Sequence, residues 1–363
     1  MNATDVQRAP ILFFIPYQND GIQRLPERYE DFRSWLVEDE FVVGRGKYTW
    51  TLQTYLSVRA AGYPCSLVQQ LPERGIVVSH RDFLPVFLRP RADLFLVCIK
   101  ADRNQHSWAD FHIVQNERDP LRDSADGRAR SAALPFWPQP SLIARDPARG
   151  QRVENVAYFG RGLNLAEELR ADAWSAELRA LGMNWRVPER PRWHDYRDTD
   201  VTVSVRSFDL ESLASDPVRN VDSKPASKLV NSWIVGVPAI LGAESAYTRV
   251  RRSPLDFIEV DSMDSLRAAL KSLREEPNRF RDMVANGIER GAEFAAPAVT
   301  RKWTRLFESE LTERYAAWSH QWPLTRQLAR YWRSLRYFST PQHIRSVLGA
   351  LAPRTQRAAG ASA

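Results

Sequence analysis

The chain has 363 residues, 44% of them hydrophobic and 26% charged, which excludes a disordered or fibrous protein and allows two globular domains. Residues 319–363 hold seven arginines and no Asp, Glu or Lys, so the first 318 residues are formally neutral and the whole net charge of +7 belongs to the end of the chain. A neutral body excludes a general polyanion binder, and no specific nucleic-acid partner is expected. No apolar run reaches the roughly 18 residues of a membrane span, and Ile11–Ile15 is too short for a secretory core. A cytoplasmic protein is therefore expected, with Cys65 and Cys98 as reduced thiols among apolar neighbours.

In chain order, apolar runs predict strands at 11–16 and 41–43, the second leading into Gly44-Arg45-Gly46-Lys47. A helix is predicted from Trp50 to Ala61, stopped by Gly62, then strands at 66–68, 76–78, 94–99 and 111–114. Pro135, Pro138, Pro140 and Pro147 mark a linker. Beyond it, strands are predicted at 156–159, 185–187, 201–205, 239–241 and 257–260, and helices at 165–181, 227–235, 264–274, 277–294 and 298–319. Continuous apolar strands between helices predict parallel sheets covered on both faces. The expected division is 1–147 and 148–297, two doubly wound α/β domains, then a closing helix over 298–318 that returns to the N-terminal domain, and a basic tail over 319–363.

In such sheets ligands bind beyond the carboxyl ends of strands. Strand 156–159 runs into Gly160-Arg161-Gly162 before a helix, a turn that lets backbone approach a phosphate but is common by itself. Lys224 and Lys228 bracket the start of a helix, with Ser227 between them. Cations there oppose the helix dipole unless an anion sits between them, which points to a bound diphosphate.

The segment Lys224-Pro-Ala-Ser-Lys-Leu-Val-Asn-Ser-Trp-Ile-Val-Gly-Val-Pro238, with the following run to Tyr247, resembles the donor-binding helix and loop of GT-B glycosyltransferases. Gly46–Tyr55, Val78–Asp82 and Val114–Asp119 are similar to segments of a bacterial family of these enzymes. The resemblance covers roughly residues 10–310 and is most specific over 224–247. It implies the GT-B fold and a nucleotide-sugar donor held by Gly160, Arg161, Lys224, Ser227, Lys228, Asn231 and Glu244, to which Arg206, just past strand 201–205, adds a guanidinium by the strand-end rule, a surface arginine being equally open. It implies no further cofactor. The two glutamates of many retaining members fall here on Ser223 and Asn231, which leaves the anomeric outcome open. Inverting transfer would need a base from the N-terminal side. His80 is the first expectation, Asp102 the second and Asp119 a third, with Tyr48, Trp50 and Gln53 on the acceptor side. A sugar-nucleotide epimerase and a non-catalytic nucleotide-binding scaffold are the rival readings.

Asp198-Thr-Asp200 has the spacing of a metal-binding pair but precedes its strand, so capping is expected and no metal. In the tail, Leu324, Leu328, Tyr331, Trp332, Leu335 and Phe338 share one helical face, and Arg326, Arg330, Arg333 and Arg336 the other. Ile344, Val347, Leu348 and Leu351 make a second stripe, and residues 352–363 are expected to be disordered. Two readings stand equal: peripheral membrane contact through 324–351, suited to a lipid-linked acceptor, and packing of the amphipathic helix on the body or on a subunit.

Overall fold

A computed structural model describes residues 10–38, 46–209, 211, 213 and 221–339. The expected strand at 41–43, Gly44 and Arg45, and the second tail stripe lie outside the described residues. The described chain forms two wholly parallel sheets. The first contains β1 (Ile11–Phe14), β2 (Cys65–Val68), β3 (Gly75–His80), β4 (Leu94–Ile99), β5 (Phe111–Val114) and β6 (Ser131–Ala133), in the order β2-β1-β3-β4-β5-β6. The second contains β7 (Asn155–Ala157), β8 (Asn184–Arg186), β9 (Val201–Ser204), β10 (Ala239–Gly242) and β11 (Ile258–Val260), in the order β11-β10-β9-β7-β8. Both are doubly wound with a reversal beside their first strand, so each has a switch point where ligands bind. Two such units facing across a cleft are the GT-B architecture.

β3, β4, β5 and β9 are buried along their whole length; in β4 this shows as an unbroken apolar run, while β9, Val-Thr-Val-Ser, buries Thr202 and Ser204 as well. β6 is a Ser-Ala-Ala strand with no intrinsic strand signal; pairing with β5 creates it. Cys98 is buried in β4, and Cys65 on β2 is only half-buried; both are free. The expected helix over 165–181 is two, Glu167–Arg170 and Asp172–Ala180, broken at an extended Ala171. The break lets Leu169 and Trp174 both enter the C-terminal core. The helix Ala296–Leu306 and the turn that follows send Val299, Trp303, Phe307 and Leu311 into the core of the first sheet. Asp200 is a structural knot at the start of β9. Its buried carboxylate accepts from Arg145 and Arg149 and from the backbone N–H groups of Glu154 and Asn155.

The C-terminal helix, Pro323–Phe338, departs from one of the two readings, that of packing through its apolar face, and leaves membrane contact untested. It is docked the other way round: Arg326, Arg330, Ser334 and Tyr337 are buried, while Leu324, Leu328, Tyr331, Trp332 and Leu335 are exposed. The reason lies in what it meets. The loop before β4 offers the carbonyls of Pro90, Arg91 and Leu94, and Asp110 stands beside them; all accept from the guanidinium of Arg330. Arg326 reaches Asp93, and Arg333 also reaches Asp110. A planar five-donor fork satisfies such a cluster where an apolar side chain would leave it orphaned.

Candidate active site in the cleft

The cleft between the sheets holds a cavity of about 650 Å³ walled by residues that follow strands β3, β4, β5, β7 and β8. Five cationic side chains line it, Lys47, Arg103, Arg161, Arg190 and Lys228, against Asp82 and Asp102.

On the C-terminal side, β7 exits into Phe159-Gly160-Arg161. Gly160 sits against the Tyr158 ring, and an added Cβ would meet the Tyr158 hydroxyl at 2.8 Å. That ring in turn lies 5.3 Å beneath the ammonium of Lys228. Gly160→Ala is therefore expected to cost about 1–3 kcal/mol through overpacking, read as a lowered urea midpoint.

The helix Ser227–Ile234 points its N-terminus at the cavity, with Ser227 and Lys228 on the wall and no side chain capping its first N–H groups. Lys228 is half-buried, and its ammonium has no hydrogen bond or ion pair with any described residue. Burial, and secondarily Arg206, push its ammonium down to about 8, with Glu244 pulling the other way. A bound anion reverses that shift. Anion affinity is then full below pH 8 and falls as the free ammonium deprotonates above it, by at most about tenfold per pH unit. Titration of a nucleoside diphosphate across pH 7–10 reads this directly.

The remaining expected donor residues divide. Arg161 is exposed at the cavity rim. Arg206 and Glu244 face each other, Arg206 Nε lying 3.0 Å from both carboxylate oxygens, and neither lines the cavity. Glu244 is thus engaged in orienting a guanidinium behind Lys228. Lys224 crosses the cleft to Asp102 at 2.6 Å. Asn231 touches the cavity, but its carbonyl accepts from Gln139 N–H at 3.0 Å, tying the linker to the helix. Ser223 is likewise consumed, by Lys100 and Gln115.

On the N-terminal side, His80 ends β3 and reaches the cavity. Its Nδ1 accepts from Asp82 N–H at 3.1 Å, and burial pushes its pKa down to about 4 despite Asp82. The ring is neutral, with its proton on Nε2, so it offers the cleft a donor rather than the base expected. Burial acts to raise the Asp102 carboxyl, but Lys224 and then Arg103 outweigh it and hold the group below the usual range. Asp119 is buried against Lys100 at 2.7 Å and caps the turn at Leu121. Of the expected acceptor residues only Trp50 reaches the cavity. Tyr48 and Gln53 lie in the core, Tyr48 bonding Asp20 and packing on Trp35 and Phe83.

The sequence reading missed the aromatic wall opposite Gly160. Phe159 and Tyr196 stack at 3.8 Å, and Trp193 and Arg190 stand beside them, the guanidinium 5.7 Å from the indole. The signal was present: Arg190-Pro-Arg-Trp193 follows the carboxyl end of β8. A flat aromatic stack beside a cationic helix N-terminus has the chemistry to hold a heterocyclic base next to a diphosphate.

No protein-family model matches the chain, and no curated protein matches it. Solved structures are similar to it at low identity. Anabaena HepE in complex with UDP is 9% identical, over 83% of this chain and 100% of that one, with a TM-score of 0.49. The pneumococcal O-GlcNAc transferase GtfA in complex with UDP and GlcNAc is 12% identical, over 61% of this chain and 53% of that one, with a TM-score of 0.41. TarM is 9% identical, over 71% and 58%, with a TM-score of 0.43. The chain spans little more than half the length of the last two. Likeness at this level assigns no substrate.

Among the described residues no group of three or more His, Cys, Asp or Glu side chains is placed to hold a metal ion.

Proposed function

We propose that the chain transfers a glycosyl group from a nucleoside-diphosphate sugar, held on the C-terminal side of the cleft, to an acceptor hydroxyl entering from the N-terminal side. The observation that carries this is Lys228, a half-buried cation without an anionic partner at an uncapped helix N-terminus in the cleft. Its shift records a cost to the charged form that a bound anion would relieve. The diphosphate lies across Lys228, Ser227 and the Gly160-Arg161 turn, and the base stacks against the Phe159, Trp193 and Tyr196 wall. The bond from the anomeric carbon to the diphosphate oxygen breaks, and negative charge grows on that oxygen where the ammonium and helix N–H groups stand. Preorganised donors at that point lower the barrier. The new bond forms to the acceptor oxygen, whose proton passes to Asp102 once the arriving diphosphate draws Lys224 away. His80 donates from Nε2 to a sugar or acceptor oxygen.

The test is release of nucleoside diphosphate from a panel of nucleotide sugars, with and without added alcohol and glycan acceptors. Turnover of one donor, lost on Asp102→Asn with donor binding retained, is expected. Binding without any turnover, in protein shown to be folded, leaves the scaffold reading in its place.

A further inference from the structure

The reversed C-terminal helix leaves an apolar face uncovered by any described residue. Trp322 is 80% exposed, Leu324 71% and Trp332 63%, with Leu328, Tyr331 and Leu335 between them. The stripe continues onto the N-terminal domain, where exposed Phe87 stacks on Phe338 at 6.4 Å. Its rim is cationic. Arg336 is exposed beside it, and exposed Arg89 covers Trp108, whose edge meets Tyr331. Between Ser319 and Ser339 there is no acidic side chain, and the sequence beyond adds Arg345, Arg354 and Arg357 without one.

From the outward Trp and Leu face, its arginine rim and its lack of acids, we infer that the helix Pro323–Phe338 is the protein's docking surface for an anionic lipid bilayer, lying flat in the headgroup region. Leucines enter the acyl boundary, indole and phenol rings take the interfacial level, and guanidiniums meet lipid phosphates. The buried arginines make this possible. Arg330 and Arg326 fix the helix to the body by its polar side, so the apolar side is presented outward without unfolding anything. No described helix is long and apolar enough to cross the membrane, so the contact is peripheral. A second copy of the chain is disfavoured as occupant, because it would bring the same arginine rim against this one. The inference does not rest on glycosyl transfer, and its test reads no activity.

The experiment is co-sedimentation of the full chain with phosphatidylglycerol-containing vesicles and with pure phosphatidylcholine vesicles. Binding to the anionic vesicles is expected, weaker on the neutral ones and reduced by salt. Leu328→Glu combined with Trp332→Glu is expected to weaken it at least about tenfold, since it replaces two apolar anchors by carboxylates that an anionic surface repels. Both positions are exposed, so the melting temperature should stay unchanged, and that is measured alongside. Three results would overturn the inference. One is no sedimentation of the folded full chain with anionic vesicles, as expected if its own residues 340–363 cover the stripe. The second is undiminished binding by the double variant. The third is concentration-dependent self-association, abolished by the double variant, without vesicle binding.

Discussion

Arg330→Ala is expected to destabilise the protein by about 3–5 kcal/mol, the cost of removing one member of a buried ion pair. The side chain is fully buried 220 residues from its partner in sequence and joins two carboxylate oxygens of Asp110 to three backbone carbonyls. Deleting it leaves Asp110 with only Arg333 and the Leu96 N–H, and it takes the side-chain donor from the Leu94 carbonyl, while Pro90 keeps Gln327 and Arg91 keeps the Leu94 N–H. Lysine should recover little, because one ammonium cannot span a carboxylate and three carbonyls. Urea unfolding measures the loss. Protease cleavage within 323–338, in a body still resistant, would show that the docked helix goes first. A loss under 1 kcal/mol would mean that the arginine face is not what fastens the helix.

Lys228→Ala is expected to weaken nucleoside-diphosphate binding about 10–100-fold, the worth of one or two charge-assisted bonds. The drop in kcat/KM for a nucleotide sugar should be larger, about 10²–10³, because charge on the leaving oxygen is greatest in the transition state. The same substitution should leave stability unchanged or slightly raised, since the ammonium is half-buried without a counter-ion and its burial is already unfavourable. That combination separates a ligand-binding lysine from a structural one. A variant that melts early and binds normally would contradict the assignment.

The fold was legible where burial makes the signal local. β4 and β5 fall on the predicted residues because strands covered on both faces must be continuously apolar. The helix Ser227–Ile234 starts at Ser227 and is followed by Gly236 with φ of 70°, in line with the Gly-x-Pro sequence there. Ser131–Ala133 was not legible, because only its neighbour makes it a strand. The amphipathic periodicity of 324–338 was legible, but which face turns inward stayed open between two readings. That choice depends on Asp110 and on the carbonyls near Leu94, more than 200 residues away, and no local pattern carries it. The candidate site divides the same way. Strand-end position found His80, Gly160 and Arg161, and helix-start position found Lys228. The roles of Asn231, Tyr48 and Gln53 turned on long-range partners: Gln139 holds the first, Phe83 and Trp35 enclose Tyr48, and Gln53 is buried beside Tyr29.

The most direct measurement is calorimetric titration of the full chain at pH 8 with UDP, GDP, ADP and dTDP in buffers of different ionisation heat. The cleft described here predicts saturable one-to-one binding of a nucleoside diphosphate with net proton uptake, because Lys228 titrates at about 8 when the site is free and gains its proton when the diphosphate arrives. Folded protein that gives no binding heat with any of the four, or binding whose heat does not depend on the buffer, would contradict it.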